Sequence, residues 1–238
     1  MYLYYVRHGD PIYDPDSLTA LGHEQAKALS KRFAIYGLDE IYASTSMRAQ
    51  MTAQPTCDVL HKEKILLDWA NEGYAWADTH IVSPEGKPSW VYASDLWREN
   101  LNHPEVVALG KKWNTHPIFK GTPLENGTKR IDDCVDEFML NLGFMHNREK
   151  CTYKSIKQPK ERIALFAHEG FGKLFLSSLL DIPYPLLATR FELGHSSVTV
   201  IYFDESGEER YPRVLQWSND SHLYKEGVST KYWNFHEI

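Results

Sequence analysis

Strand-forming and helix-forming segments alternate over the first 67 residues of the chain. Apolar and aromatic runs predict strands at 2–6, 40–43 and 64–67, and apolar residues at helical spacing predict helices at 19–37 and 47–61. Strands that alternate with helices in this way are typical of a parallel sheet with helices packed on its faces. The order of these segments therefore constrains the chain to an α/β fold.

The first of these helices has recognisable start and stop signals. Thr19 is suited to the N-cap, and Gly37 to the position just after the last turn. Between them one apolar stripe repeats at intervals of three or four residues, which predicts a single buried face. The stripe consists of Ala26, Leu29, Phe33 and Tyr36.

The second half of the chain returns to the same alternation. A long amphipathic helix is predicted at about 126–147, followed by a cationic surface loop at 148–160. Further strands are predicted at 162–167, 191–193, 198–203 and 211–217, with a helix from Phe171 to about Leu180. Because no repeat or linker divides the chain, we expect one domain over residues 1–238.

Residues 68–125 interrupt the regular pattern with a segment rich in aromatic side chains. We predict that this segment is an insertion that folds over the edge of the sheet as a lid or pocket wall. The alternative is that most of these rings only form the insertion's own small core. The rings are Trp69, Tyr74, Trp76, Trp90, Tyr92, Trp97 and Trp113.

Composition excludes several classes of partner. The net charge of −6 and the isoelectric point near 6.0 argue against nucleic acid or an anionic membrane as the main partner. Three scattered cysteines indicate a reducing compartment, and no apolar run approaches the ~20 residues that span a membrane. We expect a cytoplasmic protein, and a homodimer is among the states that the sequence allows.

Two of the predicted buried strands end on a histidine. The first strand runs into Arg7-His8-Gly9, and the strand at 162–167 runs into His168-Glu169-Gly170. The carboxyl ends of parallel strands meet at one edge of a sheet, and that edge is where α/β folds bind ligands. Between the two lies a helix start that carries Arg48, in the segment Ser44-Thr45-Ser46-Met47-Arg48-Ala49-Gln50-Met51-Thr52-Ala53.

In this order the three segments resemble the signatures of the histidine phosphatase superfamily, the phosphoglycerate-mutase-like enzymes. Further motifs that agree with the resemblance are Leu18-Thr19-x-x-Gly22-x-x-Gln25-Ala26, Ser196-Ser197-Val198-Thr199 and Asn219-Asp220-x-His222-Leu223. The resemblance covers residues 2–67 and 161–223. It implies a three-layer α/β/α fold with a mostly parallel central sheet.

The resemblance also implies a phosphomonoester hydrolase that works through a phosphohistidine, with a small-molecule phosphate as substrate and inorganic phosphate as product. His8 would be the nucleophile, and the guanidinium groups of Arg7 and Arg48 would bind the phosphate oxygens. His168 would donate to the developing charge. We expect no cofactor and no metal ion, because the two histidines lie beside arginines, which repel cations.

The general acid has two rival assignments. The pattern of the family points to Glu72, in the loop after the third strand, and Glu169 is the alternative because a related branch keeps its acid just after the second histidine. Asp68 ranks third. A carboxylic acid at this place would protonate the leaving alcohol and then take a proton from water.

Three further residues are assigned to phosphate or substrate binding, and at two of them the sequence departs from the family's pattern. Tyr13 stands near the place of an asparagine that contacts phosphate, and either donates its hydroxyl or packs. His195 replaces another asparagine, and either donates its backbone amide or ring to phosphate or has no catalytic task. Ser44 either binds the phosphate or caps the Arg48 helix, and the latter is favoured.

Two alternatives to the hydrolase stay open. One is a cofactor-dependent phosphoglycerate mutase, which uses the same core but needs a closed basic pocket, whereas residues 68–125 are rich in tryptophan and tyrosine. The other is an inactive member that binds a phosphorylated ligand. The sequence does not select among sugar phosphates, ribazole phosphate, nucleotides and phosphoproteins.

Overall fold

The computed structural model describes residues 1–83, 86–204, 208–232 and 236–237. Its strands are β1 (Tyr2–Arg7), β2 (Pro11–Tyr13), β3 (Asp16–Leu18), β4 (Glu40–Ser44), β5 (Lys64–Leu67), β6 (His80–Val82), β7 (Pro88–Trp90), β8 (Phe144–Asn147), β9 (Thr152–Ser155), β10 (Arg162–Ala167), β11 (Val198–Phe203), β12 (Glu209–Arg210), β13 (Pro212–Asn219), β14 (Lys231–Tyr232) and β15 (His236–Glu237).

The α-helices are α1 (Ala20–Phe33), α2 (Met47–Leu60), α3 (Glu72–Thr79), α4 (Asp95–Leu101), α5 (Pro104–Ala108), α6 (Lys129–Leu142), α7 (Glu169–Leu180), α8 (Tyr184–Arg190) and α9 (Ser221–Glu226). Short 3-10 helices lie at Asp68–Ala70, Val91–Ala93, Gly110–Thr115, Pro117–Phe119 and Pro123–Asn126. Among these described helices, none has the length and apolar composition that crossing a lipid bilayer requires.

The central sheet has the strand order β13-β11-β1-β10-β4-β5 within the described residues. β1 pairs in parallel with β10, β10 with β4, and β4 with β5. β11 alone runs against its neighbours, since its pairings with β1 and with β13 are antiparallel. The prediction of a mostly parallel sheet in an α/β fold is therefore confirmed.

Helices cover both faces of this sheet, which makes three layers. Alternating side chains of β1 point to opposite faces, as the period of two in a strand requires. Tyr5 belongs to the larger core, together with Phe175 of α7. Val6 belongs to the smaller core, together with Leu29 of α1 and Cys57 of α2.

The start of α1 is as predicted, but its end is not. The side chain of Thr19 accepts a hydrogen bond from the Gly22 amide at 3.1 Å, which is the predicted N-cap. The helix ends at Phe33, so Gly37 (φ +73°) lies beyond the last turn. Tyr36 is 77% exposed and falls outside the buried stripe, because the chain has already left the helical path.

Four predictions in the second half of the chain differ from the structure. The helix predicted at 126–147 ends at Leu142, because Gly143 takes a positive φ of +102° and turns the chain. The following strand β8 pairs with β9, which lies inside the segment predicted as a loop. Residues 191–193 form no strand, and α7 begins at Glu169 rather than at Phe171.

The aromatic segment at 68–125 packs some of its rings into a core, which was one of the two roles considered for it, although residues 84 and 85 lie outside the described part. It contains α3, the β6–β7 hairpin, α4 and α5. Trp113 is buried and packs on Phe119 and Tyr184, which gives the segment a core continuous with the rest of the molecule. Its designation as an insertion stays a prediction.

Candidate active site

His8 and His168 meet at the carboxyl ends of β1 and β10. These strands are parallel neighbours, and their register pairs Arg7 with Ala167, so the two residues that follow lie side by side. The His8 amide donates to the Ala167 carbonyl at 2.9 Å, and the imidazole ring centroids are 5.2 Å apart. The predicted meeting of two histidines at one sheet edge is present.

Backbone geometry around Gly9 fixes the tautomer of His8. Nδ1 of His8 lies 2.7 Å from the carbonyl oxygen of Gly9, and a carbonyl can only accept, so Nδ1 carries the proton and Nε2 keeps its lone pair. The Gly9 amide is held by Thr52 Oγ1 at 2.9 Å. A side chain at Gly9 would lie 2.7 Å from the Gly22 carbonyl oxygen, which explains the glycine.

The His8 ring is buried and stays neutral. Burial lowers the pKa of His8 well below its usual range, and the positive charges of Arg7 and Arg48 lower it further. A neutral imidazole with a lone pair on Nε2 is the nucleophilic form of histidine.

Arg7 is buried in a set of fixed acceptors. Its guanidinium donates to Glu169 Oε2 at 2.9 Å, to the Leu193 carbonyl at 2.5 Å and to His195 Nε2 at 2.8 Å. Because an arginine can only donate, His195 Nε2 is an acceptor and the ring proton sits on Nδ1. That nitrogen lies 3.4 Å from Asp10 Oδ1. His195 therefore positions Arg7.

Arg48 is the second residue of α2, and a carboxylate of the β2–β3 hairpin holds it in place. Asp16 Oδ1 accepts from the Arg48 guanidinium at 2.8 Å, while Oδ2 accepts from the Met47 amide at 2.7 Å. The guanidinium also lies 5.5 Å from the centre of the Tyr13 ring. Asp16 thus binds the first free amide of α2, and such helix-start amides are common anion-binding positions.

His168 is completely buried behind the cavity. Its Nε2 lies 2.8 Å from Ser44 Oγ, and its Nδ1 lies 3.5 Å from Glu72 Oε2. Burial, followed by the charges of the neighbouring histidine and arginines, lowers the pKa of His168 well below its usual range. Ser44 is buried and does not line the cavity. Its hydroxyl oxygen also accepts from the amide of Ser46 at 3.3 Å, at the start of α2, so it contacts both the His168 ring and the helix start.

Glu72 is the first residue of α3 and faces the cavity. Its Oε1 accepts a hydrogen bond from the Gly170 amide at 3.0 Å, and 18% of its side chain is exposed. Burial raises the pKa of Glu72 to about 7, against the opposing charges of Arg48 and Arg7. A carboxyl group with this pKa is poised to act as an acid and as a base near neutral pH.

Glu169 faces the same cavity in a different electrostatic environment. Its carboxylate bonds to Arg7 and lies 3.3 Å from Nζ of Lys173, which is fully buried and also lies 3.2 Å from Glu192 Oε2. Burial opposes the charged form, but the Arg7 and Lys173 charges prevail and lower the pKa of Glu169. A carboxylate held charged in this way is poorly suited to donate a proton.

A cavity of about 490 Å³ opens above these groups. Of the residues singled out from the sequence, it brings together Arg7, His8, Tyr13, Arg48, Glu72 and Glu169. His168 adjoins it through Glu72, whereas Ser44 and His195 are buried beneath it. The remaining lining residues are Ser46, Asn71, Gly73, Trp76, Trp90, Tyr92 and Ala93.

Two positioning carboxylates, Asp10 and Asp16, were missed by sequence reasoning. Each lies close in sequence to His8, but its partner, His195 or Arg48, is brought to it only by the fold. The available signal was three acidic residues, at 10, 14 and 16, close in sequence to a predicted anion site. Acidic side chains at such a place are expected to orient the cationic side chains that bind the anion.

Four polar atoms around this cavity are buried without a hydrogen-bond partner among the described residues. They are Nε of Arg7, Nε of Arg48, Nδ1 of His168 and Oε2 of Glu72. Buried polar groups are nearly always hydrogen-bonded in native proteins, so such a concentration is typical of a ligand site.

Within the described residues, one group of side chains has the spacing of a metal site, at the surface of the aromatic segment. It comprises His103, Glu105 and His116. Nδ1 of each histidine accepts from a backbone amide, that of Glu105 at 3.4 Å and that of Ile118 at 3.3 Å. Both histidines are therefore N-caps of short helices, a structural role that accounts for their placement.

Comparison with known proteins agrees with this geometry. The family model of the histidine phosphatase superfamily (branch 1) matches residues 3–139. Among curated proteins, none matches the chain in sequence.

Several solved structures share the fold. A phosphoserine phosphatase mutant from Entamoeba histolytica in complex with phosphoserine is 18% identical, with a TM-score of 0.56 over 93% of this chain and 98% of that one. A mycobacterial glucosyl-3-phosphoglycerate phosphatase is 17% identical (TM-score 0.56; 91% and 98% covered). The alpha-ribazole phosphatase from Shigella flexneri is 15% identical (TM-score 0.55; 92% and 97% covered).

Proposed function

The chain belongs to the histidine phosphatase superfamily, and we propose that it is a phosphomonoester hydrolase that acts through a phosphohistidine on His8 without a metal ion. The observation that carries the proposal is one cavity that holds a neutral nucleophile, two guanidinium groups and a carboxyl group with a pKa of about 7. The named relatives, which are phosphatases of small molecules, support the same reaction class.

In the first step the phosphoryl group moves to His8. Nε2 attacks phosphorus, the bond from phosphorus to the ester oxygen breaks, and that oxygen takes the proton of the Glu72 carboxyl and leaves as the alcohol. Arg7 and Arg48 bind the phosphoryl oxygens and neutralise their charge. The carbonyl of Gly9 keeps the proton on Nδ1 and so keeps Nε2 reactive.

In the second step water releases the phosphate. Glu72, now a carboxylate, takes a proton from a water molecule whose oxygen attacks phosphorus, and the bond between phosphorus and Nε2 breaks. Inorganic phosphate leaves, His8 returns to its neutral form, and Glu72 is protonated again. A single carboxyl group serves both steps because its pKa lies near the working pH.

The two alternatives have less support. A mutase must hold a second phosphate, but the described lining residues contribute only Arg7 and Arg48 as permanent cations, and each already pairs with a carboxylate. An inactive binding protein is expected to lack part of the catalytic set, whereas His8, Arg48 and Glu72 line the cavity and His168 adjoins it.

The experiment combines phosphate release with trapping of the intermediate. Wild-type protein should hydrolyse p-nitrophenyl phosphate in excess EDTA, and His8→Ala should lose activity by at least about a thousandfold. Acid-labile radioactive phosphate should label the wild type and not His8→Ala. His23→Ala, which removes an exposed histidine of α1, is the matched control and should behave as wild type.

Three results would contradict the proposal. Activity that requires an added metal ion would exclude the metal-independent mechanism. Substantial turnover by folded His8→Ala would exclude the phosphohistidine. Transfer of the phosphoryl group to a phosphoglycerate, in place of release to water, would favour the mutase.

A further inference from the structure

One wall of the catalytic cavity is built from aromatic rings. Trp76 of α3, Trp90 at the end of β7 and Tyr92 just after it all line the cavity. Trp76 and Trp90 meet edge to face with ring centroids 4.9 Å apart, and Trp90 stacks on Tyr92 at 5.5 Å. The three rings thus form one continuous surface, which we call the aromatic wall.

The aromatic wall lies directly beside the proposed general acid. Glu72 and Trp76 are four residues apart in α3, a spacing that places both side chains on one face of the helix. Trp90 approaches the same carboxyl group from the other side, next to Gly170 in the first turn of α7. A methyl group added at Gly170 would lie 2.5 Å from Cη2 of Trp90 and 2.6 Å from Oε1 of Glu72.

This placement determines what a leaving alcohol would contact. Glu72 protonates the ester oxygen, so the first atoms of the alcohol lie beside its carboxyl group. The next atoms then reach the aromatic wall, because Trp76 and Trp90 flank that carboxyl. Flat apolar groups gain most from such a surface, through burial and through ring-on-ring contact.

The charges around the cavity disfavour a second anionic group on the substrate. Among the described lining residues, Arg7 and Arg48 are the permanent cations, and the phosphoryl group would engage both. The remaining charged groups of the lining are the carboxyl groups of Glu72 and Glu169. A carboxylate or second phosphate on the alcohol would lose its hydration there without forming an ion pair with a cation.

We propose that the substrate is a phosphomonoester of an alcohol that carries a flat, apolar and uncharged group, and that the aromatic wall selects it. This inference rests on the proposed function. The cavity of about 490 Å³ is in the size range of sites for such small molecules. Esters of acidic alcohols, such as phosphoserine and 3-phosphoglycerate, would be poor substrates.

The first test compares substrates that are all esters of aliphatic alcohols, so that the alcohol leaves with similar difficulty in each. The panel is 2-phenylethyl phosphate, ethyl phosphate, phosphoserine, 3-phosphoglycerate and phosphocholine. The value of kcat/KM for 2-phenylethyl phosphate should exceed each of the others by roughly tenfold or more, the order that an aromatic contact plus burial supplies.

The second test assigns the preference to the aromatic wall. In Trp76→Leu, the ratio of kcat/KM for 2-phenylethyl phosphate to that for ethyl phosphate should fall roughly fivefold to tenfold. Trp97→Leu is the matched control, because Trp97 lies in the same segment but packs near Phe119 and does not line the cavity. That variant should keep the wild-type ratio.

The third test reverses the preference by adding a cation. Ala93 lines the cavity beside the aromatic wall and is exposed, so Ala93→Lys introduces an ammonium group without removing a core side chain. It should raise kcat/KM for 3-phosphoglycerate relative to that for 2-phenylethyl phosphate by several-fold.

The outcomes separate this inference from the proposed function. If neither p-nitrophenyl phosphate nor any member of the panel is hydrolysed, the proposed function fails and the inference fails with it. If p-nitrophenyl phosphate alone is hydrolysed, the function stands and the inference is wrong. If the panel is hydrolysed but phosphoserine or 3-phosphoglycerate is preferred, the function stands and the inference is wrong. A preference for phosphocholine would also overturn it, in favour of a cation bound on the same rings.

Discussion

Glu72 and Glu169 face one cavity, yet their pKa values shift in opposite directions. Burial dominates at Glu72 and raises its pKa to about 7, whereas Glu169 lies between Arg7 and Lys173 and its pKa is lowered. Active sites often contain two carboxyl groups whose environments shift their pKa values apart, so that one acts as an acid and the other stays charged. The same division here favours Glu72 as the acid and Glu169 as a partner that orients Arg7.

Substitution of each glutamate should separate these roles. Glu72→Gln should lower kcat for ethyl phosphate by roughly a hundredfold to a thousandfold, and lower it much less for p-nitrophenyl phosphate, whose leaving group needs no proton. Glu169→Gln should lower kcat for both substrates to a similar extent, because it weakens the contact that orients Arg7. Steady-state kinetics on both esters measures the contrast. Near-normal turnover of ethyl phosphate by Glu72→Gln would exclude the assignment.

The raised pKa of Glu72 also predicts the pH dependence. Protonation of the alcohol requires the neutral carboxyl, whose population falls as the pH rises through about 7. When phosphoryl transfer limits the rate, kcat for ethyl phosphate should therefore decline above about pH 7. Glu72→Gln should lack this decline, and a wild-type profile that keeps rising through pH 8 would contradict the pKa shift.

At the scale of elements, the hairpin of β2 and β3 follows the nucleophile in the chain and contacts the start of α2. It pairs residues 11–13 with 16–18, and its Asp16 reaches both the first amide of α2 and the Arg48 guanidinium. The hairpin thus adds a negative charge beside a cation that the proposed mechanism assigns to phosphate. Asp16 thereby orients Arg48, and its negative charge weakens the net attraction of the site for inorganic phosphate.

Removal of that charge should tighten the binding of inorganic phosphate. Asp16→Asn keeps an oxygen that can accept from the Met47 amide but leaves the Arg48 charge uncompensated, so the inhibition constant for phosphate should fall several-fold. Competitive inhibition at fixed pH measures this constant. Asp14→Asn, which removes one charge from the exposed turn of the same hairpin, is the control and should change it little. Weaker phosphate binding in Asp16→Asn would mean that orientation of Arg48 outweighs its charge.

At the scale of the whole molecule, the sequence predicted the residues that local pattern determines. Strand ends and helix starts depend on neighbouring residues, so His8, Arg48 and His168 could be placed at one sheet edge. Contacts between distant segments could not be placed. Arg7 and His195 are 188 positions apart, and the close approach of Trp90 to Gly170 depends on how the aromatic segment packs on α7. Propensity does not determine such packing.

Two further predictions were wrong, one for the end of a helix and one for a strand. The pattern of apolar residues continued past Leu142, but Gly143 turns the chain and the next residues pair with β9. Likewise 191–193 has the composition of a strand, yet the Leu193 carbonyl is bound by Arg7. At 191–193 a tertiary partner thus overrides the local preference, whereas at Gly143 the apolar pattern masked a local stop signal, the glycine after the last helical turn.

Buried histidines make the stability of the whole fold sensitive to acid. His222 is 4% exposed, and burial, with a contribution from Arg32, lowers its pKa to about 3. Its Nε2 lies 3.3 Å from Ser196 Oγ. Burial likewise lowers the pKa values of His8 and His168. All three are neutral in the native state, whereas histidines of the unfolded chain take up protons near pH 6.5.

The unfolded state therefore binds more protons than the native state below about pH 6.5, and for His222 this continues down to about pH 3. Stability should fall as the pH is lowered through this range, by up to about 1.4 kcal/mol per pH unit for each such histidine. Urea unfolding at pH 7.5, 6 and 5 measures the slope. His222→Gln removes one titrating group and should flatten the slope by up to that amount, whatever it does to stability at pH 7.5. His23→Gln, at an exposed position of α1, should keep the wild-type slope. An unchanged slope in His222→Gln would mean that the pKa of this histidine is not lowered in the native protein.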